Sequence, residues 1–309
     1  TGTENVAIGM QALDASGAGT DGSYNVAIGN DALGANTEGQ FNVGVGRRAL
    51  YANTTADENT AVGYLSLYAN TTGATNVAVG VSALQENTTA SNNTAVGNRA
   101  LTANTTGYNN TVVGSQSTDA NTTGHSNTAV GRVSLTANTT GDQNIAVGVS
   151  ALEANTTASN SVAIGNNALA VSTTQGNLTA VGHQALAANT SGDSNTAVGY
   201  LALTASTTGS ANTAVGLSAL DANTTGGDNT AVGRDALGAN TTGAGNTAIG
   251  AIALDAITTT SHNTAVGHEA LTNASGGTGN TALGKGTMTA DVTGSSNVAV
   301  GYTALAANT

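Results

Sequence analysis

The residues able to carry chemistry are few and dispersed. Four histidines stand at His125, His183, His262 and His268. His262 and His268, with Glu269, come nearest to a metal set, yet a structural zinc site takes about four well-placed ligands, and none of the usual spacings occurs. The chain has no cysteine, which removes thiolate chemistry and disulfides. No nucleophile elbow supports a Ser/His/Asp arrangement. The aspartates do not recur at the fixed offsets of a calcium β-roll. Val-Gly-Val-Gly at 43–46, followed by Arg47 and Arg48, does not complete a dinucleotide fingerprint. The sequence therefore assigns no catalytic residue, no cofactor and no metal.

One chemical motif does recur. Asn53, Asn70, Asn87, Asn104, Asn121, Asn138, Asn155, Asn189, Asn223 and Asn240 each begin an Asn-x-Ser/Thr triplet. Such a column reads in two ways. It is a row of glycan acceptors on a surface loop, or it is a turn-forming Asn ladder that an Asn/Thr-rich repeat produces without any glycan. The many threonines allow O-glycans by the same logic.

The elements that position these residues come from one repeat. A glycine ending Ala-Val-Gly or a variant of it falls at 9, 29, 46 and then every 17 residues to 301, giving 18 copies. Only the first interval differs, at 20. The consensus is Asn-[Thr/Val]-Ala-Val-Gly-x-x-Ala-Leu-x-Ala-Asn-Thr-Thr-Gly-x-x. The three extra residues sit in the Gly-rich stretch from Ser16 to Ser23, where a loop tolerates length. No boundary interrupts the array, so residues 1–309 read as one repeat domain. Ala307-Asn308-Thr309 runs in phase into Thr1-Gly2, as expected of a segment of a longer array or of an end-to-end filament.

Each column has a physical reading. The residue before the anchor glycine is always Val, Ile or Leu, and three before it always Val, Thr or Ile. Between them stands Ala in 16 of 18 copies. Alternation places the branched residues on one face of a short strand and Ala on the other. The branched face is taken as inward, so that Val147→Asp buries a charge. Four after the glycine comes Leu, again in 16 of 18 copies, which predicts a second short strand. A short helix is the alternative there, since Ala and Leu favour helix. A turn follows at Asn-Thr-Thr-Gly.

Seventeen residues with two short strands make one coil of a parallel β-solenoid. Eighteen coils stacked at the strand spacing of ~4.8 Å span roughly 85 Å. Of 24 charged residues, 20 lie in five columns, and all four histidines lie there too. Those columns are the solvated edges. Asp31 and Arg48 share one column a coil apart and form a surface ion pair worth at most about 1 kcal/mol. Both faces of the main strand look apolar, yet a coil this small has one thin interior. The second face therefore needs a partner, and the solenoid is expected to oligomerise along its length.

Composition excludes other classes. The chain has no Pro or Trp, 3% aromatic and 8% charged residues, far below the roughly 25% charge of ordinary domains. A net charge of −12 opposes nucleic acid and anionic membranes. No apolar run reaches the ~18 residues of a membrane span, so no membrane insertion is expected of this segment.

Asn-Val-Ala-Ile-Gly at 5–9 and 25–29, Ser-Val-Ala-Ile-Gly at 161–165 and the x-x-Ala-Leu that follows resemble the head repeats of YadA-type trimeric autotransporter adhesins. Similar Asn-Thr-Ala-Val-Gly-x-x-Ala-Leu repeats occur in tail-fibre-like proteins of phages and bacteria. The resemblance covers the whole chain, with a period longer than that of the adhesin heads. It implies a left-handed β-roll with three chains around one axis, in an extracellular, surface-exposed, non-enzymatic rod. The expected partners are further copies of the chain, as a homotrimer, and a host surface or matrix ligand. Two alternatives stand beside this adhesive or tail-fibre reading. One is a glycan-coated extracellular filament. The other is an ice-binding solenoid built on the Thr that follows the loop Asn.

Overall fold

The computed structural model describes residues 2–15, 22–290 and 292–307. Residues 16–21 of the Gly-rich insertion, Thr1 and Thr309 lie outside the described residues. The fold is an all-β parallel solenoid with one three-residue strand per coil. It divides into two units, residues 1–159 and 160–309. The first carries strands β1 (Val6–Ile8) to β9 (Ile145–Val147), and the second β10 (Val162–Ile164) to β18 (Val298–Val300). Within each unit successive strands pair in parallel and in register. Between β4 (Thr60–Val62) and β5 (Val77–Val79), Thr60 faces Val77, Ala61 faces Ala78 and Val62 faces Val79. Identical columns thus stack as ladders.

The inward face differs from the sequence expectation. From Ala27 to Ala282 the Ala column, Ala61, Ala78 and Ala95 among others, is fully buried. The branched columns point outward: Val62 and Ile145 are exposed, and Val147 is half-buried. The interior explains the reversal. It is filled from the other side by Leu67, Leu84 and their counterparts in the inner coils, fully buried, and by the small residue before each Leu. A large residue on one wall leaves room for only a methyl on the other. In the coil where Gly44 replaces Ala, the absent methyl would sit 3.4 Å from Leu33 Cγ. Each buried Leu contributes about 1.5–3 kcal/mol, spread evenly along a repeat array.

Among the described residues the expected second strand is absent, and so is the alternative helix: the Ala-Leu segment is a chain of turns. Its residues alternate in handedness. In one coil Leu65 has φ 57° and Leu67 has φ 49°, with Ser66 on the ordinary side between them. A non-glycine residue pays roughly 1–2 kcal/mol for the left-handed region. Stacking offsets that cost. Leu65 N–H donates to Arg47 O of the preceding coil (3.2 Å) and Leu67 N–H to Ala83 O of the following one (3.0 Å). The turn thus keeps a ladder in both directions while bending the chain, which neither a strand nor a helix would do within 17 residues.

The anchor glycine starts that turn. Its φ lies between +129° and +152° in all 18 copies. A Cβ at Gly63 would stand 2.4 Å from Gly80 O. Conformation and close approach both demand glycine.

Candidate functional site

Three surfaces could carry function: the Asn columns, the outward strand face and the turn edge. The Asn columns are interior. All ten Asn-x-Ser/Thr asparagines, Asn53, Asn70, Asn87, Asn104, Asn121, Asn138, Asn155, Asn189, Asn223 and Asn240, are fully buried. Asn53 Nδ2 donates to Asn36 Oδ1 at 2.9 Å and to Ala56 O at 3.0 Å. The second Asn column, four before each anchor glycine, meets the same carbonyl: Asn42 Nδ2 donates to Ala56 O at 2.8 Å. Asn42 N–H in turn donates to Asn25 Oδ1 of the preceding coil at 2.9 Å. Two ladders thus converge on one carbonyl and tie the coil shut. In the folded chain these amides are committed to structure, so the surface-loop glycan reading gives way to the Asn ladder. The signal for this was the second Asn column at the same period, which only a closed coil explains.

The ladder has local faults. Asn189 Oδ1, Ser206 Oγ and Asn240 Oδ1 are buried without a hydrogen-bond partner. Each fault has a sequence cause. Ser206 stands where the donor to Asn189 is needed, and Ile257 where the donor to Asn240 is needed.

The Thr column that follows the loop Asn is also engaged. Thr71 Oγ1 donates to Thr88 O (3.0 Å) and Thr88 Oγ1 to Thr105 O (3.1 Å). The threonines left facing outward belong to the strand itself, such as Thr60, Thr94 and Thr128, beside Val62, Val96 and Val130. These two columns hold Thr, Val or Ile and Val, Ile or Leu in every coil of each unit, a Thr/Val-rich strip with no charged residue.

The charged columns occupy the solvated edges, as expected. Arg48 Nε pairs with Asp31 Oδ2 at 3.2 Å, and the hydrogen bond to Asp31 raises the Arg48 pKa above its ordinary value. Arg99 pairs with Asp119 at 2.9 Å. His125 Nε2 lies 3.3 Å from Asp142 and its ring stacks on Tyr108. His268 pairs with Glu269 at 3.4 Å. Among the described residues no group of three or more His, Asp or Glu is placed to hold a metal ion, and no helix is long and apolar enough to cross a membrane.

Two glycines interrupt the column five after the anchor, Gly34 and Gly238. Each removes from the turn edge the side chain that the other coils place there. At Gly238 the neighbours are Asp221, Asp235 and Asp255. Desolvation, and then repulsion from Asp235 and Asp221, raises the Asp255 pKa above the carboxylate norm. Desolvation likewise raises that of Asp221, against a hydrogen bond from Ser218. At Gly34 the gap is a notch of about 240 Å³ lined by Gln11, Asp14, Asp31, Arg48 and Tyr51. The sequence showed these side chains only as scattered edge residues. A glycine in a column that otherwise avoids it was the available signal.

Comparison with protein-family models found no match, and comparison with curated proteins found none either.

Proposed function

We propose that the chain is a non-enzymatic extracellular structural or adhesive fibre segment, as in a surface adhesin or tail fibre, whose solenoids assemble side by side as a homotrimer. The observation that carries this reading is the uncharged Thr/Val strip left open on the outward strand face in each unit. A recurrent branched-apolar strip is costly to leave in water over many coils, and burying it against like strips recovers roughly 25 cal/mol per Å². Closed symmetry then limits growth around the axis. The ladders supply stability without a bulky core, as a fibre requires.

The absence of native cysteine makes the test clean. Val130→Cys on the strip and Thr140→Cys on an exposed turn are each treated with a short bis-maleimide. Cross-linked chains from Val130→Cys alone are the expected result. Cross-linking through neither, or through Thr140→Cys alone, contradicts the reading.

A second reading draws on the outward strand threonines, present in 11 of the 18 coils. A Thr column at the strand spacing is the kind of array that binds ice. Thermal hysteresis at micromolar protein would support it, and unmodified ice growth would remove it.

A further inference from the structure

We propose that the notch at Gly34 is a saccharide-binding subsite, which gives the adhesive reading above its ligand class. The notch exists because Gly34 supplies no side chain between Asp14 and Tyr51, its neighbours in the same column. At about 240 Å³ it is smaller than the ~300–1,000 Å³ of pockets for drug-sized ligands and suits one small ring.

Its groups are prearranged. Tyr51 stacks on Tyr68 of the next coil, with centroids 5.4 Å apart and planes within 8°. Its ring edge reaches back over Gly34, since a methyl there would lie 3.2 Å from Tyr51 Cδ2 and Cε2. Arg48 leans over the Tyr51 ring, its Cζ 5.6 Å from the centroid, while its Nε holds Asp31 at 3.2 Å. Each of these side chains is fixed by a neighbour, which lowers the entropy cost of binding.

The chemistry selects the ligand. Asp14 and Asp31 accept hydrogen bonds, Arg48 donates them, and Gln11 and Tyr51 do both. One cation beside two carboxylates leaves no surplus positive charge for a phosphate or sulfate. A neutral ring bearing vicinal hydroxyls offers donors to the carboxylates and acceptors to the guanidinium at once. Gly238 provides the contrast. The segments 31–37 and 235–241 are both Asp-Ala-Leu-Gly-Ala-Asn-Thr, but Ile252 and Asp255 stand where the notch has Arg48 and Tyr51. Gly238 therefore lacks both the guanidinium at that position and the ring, and a methyl there would meet Asp255 Oδ1 at 2.7 Å. The notch lies on the turn edge, away from the strand strip assigned to assembly.

The test is saturation-transfer NMR of the intact chain with a panel of methyl pyranosides (mannoside, galactoside, glucoside and N-acetylglucosaminide). At least one should bind with an affinity of about millimolar, as expected of a small wet site. Gly34→Thr restores the residue type found in this column at Thr102, Thr136 and Thr204, so it should fold and weaken binding at least tenfold. Asp31→Asn should weaken it as well, while Gly238→Thr leaves it unchanged. No saturation transfer from any pyranoside overturns the proposal, as does binding that survives Gly34→Thr. The assembly mass, measured on the same samples, separates the two readings. A trimer that binds no saccharide removes the subsite alone, and a saccharide-binding monomer removes the trimer alone.

Discussion

Ser206→Asn should stabilise the protein, and the size of the gain follows from the ladder. Elsewhere in this column one Asn Nδ2 makes two bonds, as Asn53 does at 2.9 and 3.0 Å. At Ser206 the column is broken. Asn189 Oδ1 and Ser206 Oγ are buried without partners, and Asn223 Nδ2 reaches only Gly226 O. An asparagine here would donate to Asn189 Oδ1 and Gly209 O and accept from Asn223 Nδ2. Three bonds at about 1 kcal/mol each, less the rotamer entropy of the longer side chain, leave a net gain of about 2 kcal/mol. Stability in a repeat array is local, so the assay is amide hydrogen exchange across residues 199–215 under conditions of sub-global opening. A gain of 2 kcal/mol slows exchange there ~30-fold. Ser206→Ala is the control. It deletes an unpaired hydroxyl and leaves Asn189 unsatisfied, so it should shift protection by less than threefold. If Ser206→Asn protects no better than Ser206→Ala, the asparagines do not stabilise by laddering and the account of the closed coil fails.

Other perturbations test other columns. Gly131→Ala places a Cβ 2.4 Å from Gly148 O at φ 138°, and should cost about 3 kcal/mol or more in urea denaturation. Val133 is a β-branched residue held at φ 50°; Val133→Asn should gain about 1 kcal/mol, because Asn tolerates the left-handed region. Asp255 has a raised folded pKa, so the folded state holds its proton more tightly than the unfolded state does. Its charged form therefore costs stability at neutral pH, and the cost disappears as pH falls below the ordinary aspartate value of ~3.9. Asp255→Asn should raise the melting temperature at pH 7 and leave it unchanged near pH 3; the reverse pattern would contradict the desolvation of Asp255 and its repulsion by Asp235 and Asp221.

Much of the fold was legible in the 17-residue period. The anchor glycine, the Asn columns and the charged edges all lie where the repeat implies, and Asp31 pairs with Arg48 as the column spacing suggested. The inward face was not legible, because Ala and Val are both apolar and alternation alone does not say which is inside. The Leu columns decided it, since a large side chain from the turn leaves space only for Ala. The turn itself was hidden for another reason. Leu65 and Leu67 adopt left-handed φ values that no local preference predicts, held by hydrogen bonds to both neighbouring coils. The asparagines read two ways for a related reason: Asn-Thr-Thr-Gly has the composition of an exposed turn, and only stacking makes its first residue interior. The notch at Gly34 depends on which coil neighbours which, and a list of edge residues conceals that.

The outward Thr/Val strip is proposed as the assembly surface. Sedimentation equilibrium of the intact chain tests it most directly. The expected mass is that of three 29.7 kDa chains, falling to one chain when Val96, Val113 and Val130 are all changed to Asp, with the β-sheet circular dichroism retained. A single-chain mass for the unaltered protein at micromolar concentration would contradict it.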